Sequence, residues 1–104
     1  MMNTPDCCLT IVFPKSLEEN VIDLLLLHPD LAGGFTTLNV EGHGSGATYR
    51  TVFEQVRGRT RHVQMQIVLA RSDADMLLNH MKAGLPNREI AYWITPVMEF
   101  GRFA

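Results

Sequence analysis

Apolar residues come in short blocks along this chain, and the spacing inside each block changes from one to the next. Leu9–Phe13 (LTIVF) is a short apolar run, as expected of a buried central strand. Leu17, Val21, Leu24, Leu25 and His28 then recur at helical spacing, behind Ser16 and Glu19, which are placed as a capping box. Pro29 ends that helix, because a residue before proline avoids the α region. Gly33 and Gly34 predict a turn, and Phe35–Glu41 predicts a second strand. Val63–Ala70 (VQMQIVLA) alternates, with Val63, Met65, Ile67 and Leu69 on one face and Gln64 and Gln66 on the other. Ala74, Leu77, Leu78 and Met81 form the buried stripe of a second helix, with Ser72 as its cap and Asp75 three residues on. Gly84 is placed to lie just past this helix, Pro86 keeps it ended, and Ile90–Ile94 (IAYWI) predicts a fourth strand.

The halves echo each other. LTIVFPKSLEE and MQIVLARSDAD share Ile-Val and a capping serine, and Leu9 to Met65 and Ser16 to Ser72 are both steps of 56 residues. The same step carries Phe35 to Ala91. Two βαβ units in tandem predict an α+β, ferredoxin-like βαββαβ fold, built as a single domain over residues 1–104. Strands one and three would be central, and both helices would lie on one face. The other face would carry Thr10, Val12, Gln64, Gln66 and Val68, a mixture poorly suited to water, so subunits are expected to pack on it.

Composition narrows the function. Nine basic against eleven acidic residues give a net charge of −2, which offers nucleic acid and anionic membranes no attracting field. No apolar run nears the ~18 residues a membrane span needs, and MMNTPDCC lacks the pattern of a signal peptide, so a cytoplasmic protein is expected. Cys7 and Cys8 are adjacent, so on a strand they face opposite ways and suit neither a shared metal nor a bridge.

The candidate chemistry lies between the second and third strands, from Gly42 to Arg59. Gly42, His43, Gly44, Ser45 and Gly46 open this connection. Three glycines there can form a nest of N–H groups for an anion, or simply a hinge. Arg57, Arg59 and Arg61 occupy alternate positions and would point the same way on an extended chain. Such a row suits carboxylate or phosphate, or it serves as a solvated edge that blocks aggregation. His43 and His62 flank the loop as candidate metal ligands, with approach across subunits as a second route. His28 sits at a helix end, where a cation is favoured, and His80 on a polar helix face. No nucleophile stands beside a histidine in sequence and no glycine-lysine phosphate loop is present, so catalysis has little support.

Two βαβ halves with a long connection after the second strand resemble the PII-like proteins. GRTRHVQMQIVLA looks like that family's return into its third strand, and EIAYWITPVMEFGRF is similar to its fourth strand and arginine-bearing tail. The likeness is strongest to a branch often encoded beside heavy-metal efflux pumps, and divalent-cation-tolerance proteins share the same trimeric architecture. The resemblance implies a homotrimer with the mixed sheet face at its centre, and a non-enzymatic regulatory protein. It would sense a small molecule or anion at subunit clefts and signal through the loop Gly42–Arg59, with a membrane transporter or efflux component as a target. One departure stands out. Signalling PII proteins hold ATP with a glycine- and lysine-bearing segment before strand four, but PNREIAYW (Pro86–Trp93) offers Arg88 as its only cation. ATP binding of the usual kind is therefore not expected, and Arg88 joins Gly42, Gly44, Arg57, Arg59 and Arg61 as an anion candidate. A metal-responsive accessory protein of an efflux system, with a divalent metal at His43 and His62, is the alternative reading. A small ferredoxin-like enzyme is the third.

Overall fold

A computed structural model describes residues 4–43 and 59–104. Strand β1 (Cys7–Pro14) leads through a single 3-10 turn (Lys15–Leu17) into helix α1 (Glu18–Leu26). Strands β2 (Thr36–His43) and β3 (Arg59–Leu69) follow, then helix α2 (Arg71–Gly84) and strand β4 (Ala91–Pro96). The four strands form one sheet in the order β2-β3-β1-β4, and every neighbouring pair is antiparallel. This is the expected α+β, ferredoxin-like arrangement, with the two most apolar strands at the centre.

Alternation divides the sheet into two faces. Leu9, Ile11 and Phe13 of β1 pair with Ile67, Met65 and Val63 of β3, and all six are at most 1% exposed. Val21 and Leu25 of α1 and Ala74, Leu77, Leu78 and Met81 of α2 close over them. Leu24 of α1 reaches Gly84 so closely that a Cβ there would stand 3.1 Å from its methyl groups. Gly84 is the last residue of α2 rather than the one just past it, and a side chain there would crowd Leu24.

The helix starts differ from the expected capping boxes. The 3-10 turn takes up Ser16, α1 begins only at Glu18, and its N-cap Leu17 makes no side-chain cap bond. At α2 the N-cap is Ala70, and the Arg71 N–H donates instead to Asp6 Oδ1 at 2.9 Å. Asp6 also donates its own N–H to the Leu69 carbonyl (3.2 Å) and accepts from the Val97 N–H (3.0 Å). One residue ahead of β1 thus pins the β3–α2 junction and the end of β4. Asp75, expected to serve a box with Ser72, instead accepts from Arg71 Nε at 3.2 Å.

Candidate functional site

At one end of the sheet, Pro14, His62 and Val40 lie in register across β1, β3 and β2. Beyond this row β1 stops, while β2 and β3 continue as a two-stranded ribbon through the pairs Glu41–Arg61, Gly42–Thr60 and His43–Arg59. The expected loop is therefore shorter than Gly42–Arg59. Both of those residues sit in the ladder, and the connector proper is 44–58. Gly44, Arg57 and the other candidates inside it lie outside the described residues, and so does the side chain of Arg59.

Gly42 is needed for a reason the sequence did not suggest. A Cβ on it would fall 2.6 Å from His62 Nδ1 and 2.7 Å from Cε1, so the imidazole occupies the space a side chain would take. The residue is a seat for His62 within a strand rather than a hinge. His43 and His62 differ in parity along the ladder, so they project from opposite faces of the sheet and do not converge within one chain. His43 Nε2 lies 3.9 Å from Glu41 Oε2 on its own strand. Among the described residues no three His, Cys, Asp or Glu side chains are grouped to hold a metal.

What does converge is a groove of about 450 Å³ at the foot of the ribbon, lined by Lys15, Asn39, Val40, Glu41, Arg61 and His62. Lys15 enters from the corner after β1, where Pro14 holds an extended conformation with ψ 141° and hands the chain into the 3-10 turn. Its ammonium donates to Asn39 Oδ1 at 3.1 Å and pairs with Glu18 at 2.8 Å. Asn39 and Glu41 stand two apart on β2, and Glu41 faces Arg61 across the ladder, so all three take the helix-side parity. Arg61 is exposed, with its fork of donors open to solvent. Of the expected arginine row, Arg61 is the member whose side chain is placed, and it is joined by Lys15, which the sequence reading missed. The available signal was a cation directly after the residue that ends β1.

Arg88 reaches the same end of the sheet on the far side of β1. It is exposed in a turn closed by Ile90 N–H to Asn87 O (3.1 Å), where the Asn87 side chain also accepts from Glu89 N–H at 2.8 Å. β4 starts next, pairing Ala91 with Val12. The cysteines lie at the opposite end. Cys7 is buried, and its thiol donates to Leu69 O at 3.3 Å. Its pKa is raised, first by burial and then by the carboxylate of Asp6. Cys8 takes the open face, 3.9 Å from the Thr10 hydroxyl.

The order of elements and the antiparallel β2-β3-β1-β4 sheet are those of a ferredoxin-like βαββαβ fold. The chain belongs to the family described as proteins of unknown function (DUF3240), whose model matches residues 3–104. No curated protein matches it. Among solved structures it is similar to a DUF3240 family protein from Shewanella baltica, with a TM-score of 0.75 and 15% identity over 98% of this chain and 100% of that one. It is also similar to CPII from Thiomonas intermedia, a nitrogen regulatory PII-like protein bound to ADP, AMP and bicarbonate (TM-score 0.70, 17% identity, 95% and 96% covered). A PII-like signalling protein from Thermus thermophilus follows, with a TM-score of 0.63 and 17% identity over 93% and 91% of the two chains. At such identities the likeness carries the fold. No helix among the described residues is long and apolar enough to cross a membrane.

Proposed function

We propose that this protein is a non-enzymatic PII-like regulator that takes a small anion into the groove at the foot of the β2–β3 ribbon and reports it through the connector 44–58. The observation that supports this most is that Lys15, from the 3-10 turn after β1, and Arg61, from β3, line one groove at the root of that connector. A guanidinium and an ammonium with Asn39 between them favour a compact carboxylate or bicarbonate, which accepts several charge-assisted hydrogen bonds at once. The Thiomonas protein's bound bicarbonate supports this class. The turn at Arg88 has neither glycine nor lysine with which to wrap a triphosphate, so ATP is not the expected ligand.

In this reading three copies pack through the open sheet face. The ribbons then stand at subunit clefts, and Arg57 and Arg59 add to the anion site. The connector engages a protein target, for which a membrane transporter of an efflux system is the proposed kind. A metal-responsive role would require His43 and His62 to meet across subunits, because within one chain they face apart.

Native mass spectrometry against bicarbonate, dicarboxylates, ADP, AMP, ATP and zinc tests this directly. The expected result is a three-chain species that binds bicarbonate or a small carboxylate and loses it in Arg61→Gln and in Lys15→Gln. A mass that stays at 11.7 kDa, or an adduct unchanged by both substitutions, would overturn it.

A further inference from the structure

Two histidines 52 positions apart in sequence, His28 and His80, stack with ring centroids 4.2 Å apart and planes 16° from parallel. From this we propose a pH-sensitive latch on the helical layer: the stacked pair closes one end of the α1–α2 seam at neutral pH and releases it when both rings carry a proton.

The pair occupies a defined place in the packing. Leu24 meets Gly84 and His28 meets His80, so positions four apart on each element form two successive rungs between the helices. The leucine rung is apolar and insensitive to pH. The histidine rung is partly open to water and ends the seam. His28 also anchors the turn that follows α1. Its N–H donates to Leu25 O at 2.9 Å, and its carbonyl accepts from Leu31 N–H (3.1 Å) and Ala32 N–H (3.0 Å). Leu31 and Ala32 are buried against the core, and the chain runs on from them into β2. Releasing His28 therefore loosens the approach to the strand that lines the groove.

A proton on each ring would place like charges on nearly parallel planes 4.2 Å apart. No carboxylate pairs with either imidazole among the described residues. Along α1 and its turn the charged residues next to His28 in sequence are Asp23 and Asp30. On α2 the positions around His80 are Met76, Asn79, Ala83 and Gly84, all uncharged. Asp75 is held by Arg71, Asp73 has its own partner, and Lys82 donates to the Tyr92 hydroxyl at 3.0 Å. The sheet beneath presents Leu9, Ile11, Met65 and Ile67, which offer no charge. The two rings also cannot share one metal as they stand, because in-plane lone pairs on parallel planes do not converge.

The test is backbone amide exchange read by NMR between pH 7.5 and 5.0, corrected for the intrinsic pH dependence of exchange, with the histidine ring protons titrated alongside. In the unaltered protein, protection at Leu31 and Ala32 should fall at least tenfold between the two ends of this pH range. The central amides of Ile11 and Met65 should stay protected. His80→Gln and His28→Gln should each abolish that fall while keeping the fold, since each removes one of the two charges. The latch is overturned if protection at Leu31 and Ala32 is the same at both pH values, if it falls equally in both variants, or if it falls together with that of Ile11 and Met65.

Discussion

The two faces of the sheet are built from the same strands and meet opposite fates. On the helix side, Phe13, Leu9, Met65 and Ile67 are fully buried, and the two helices complete the core without help. On the open side, Trp93 is 46% exposed, Leu38 56% and Val68 36%, with Gln64 and Gln66 among them. Even so, Thr10 at the middle of that face is only 2% exposed, shielded by its neighbours within one chain. One face is finished by the chain itself. The other has enough apolar surface to reward a partner and enough polar surface to tolerate water. The contrast separates residues that decide whether the chain folds from those that decide what it folds against.

Substitutions can break or sharpen that contrast. The largest effect is expected at Phe13→Ala, which removes a fully buried ring from the finished face and should cost about 3–5 kcal/mol in urea denaturation. Next is Asp6→Ala, which deletes the remote cap of α2 and should cost about 0.5–2 kcal/mol by the same measurement. At the ribbon, Gly42→Ala forces the His62 ring aside. A double-mutant cycle with His62→Ala should return a coupling of about 0.5–3 kcal/mol, and a coupling near zero would remove the seat described for that ring. On the open face, Trp93→Gln should leave the unfolding of a single chain within about 0.5 kcal/mol of the original, while lowering the mass seen by sedimentation. If it instead unfolds the chain, the open face belongs to the core. The smallest effect is chemical. Burial raises the Cys7 pKa, so at pH 8 less of it is thiolate than in a free cysteine, and iodoacetamide should modify Cys8 first.

How far these regions could be read in advance follows the same division. The central strands were legible because LTIVF and VQMQIVLA carry their burial in their own spacing, and the 56-residue echo fixed the order of elements. The helix caps were misread because serine boxes are local signals, and here Pro14 and the distant Asp6 decide where the helices begin. Strand ends were read short at β2 and β3, since Gly42, His43 and Arg59 show no apolar alternation and are held only by pairing across the ribbon. In the groove, the alternate arginines include Arg61, while loop composition singled out Gly42 with no sign of the His62 ring packed against it. Lys15 and the His28–His80 stack were invisible, because each depends on partners brought near only by the fold.

The strand order has a consequence for the chain's synthesis. β1 pairs with β3 and β4 and never with β2, so the strand made first waits for the strands made third and last. As the polypeptide leaves the ribosome, LTIVF has no sheet partner until Met65 and Ile67 emerge, and the sheet closes only once Trp93 and Ile94 arrive beside Thr10 and Leu9. Domains whose pairings are this distant in sequence fold slowly and leave apolar strands uncovered meanwhile. Synthesis must therefore run through β4 before β1 is safe from other chains.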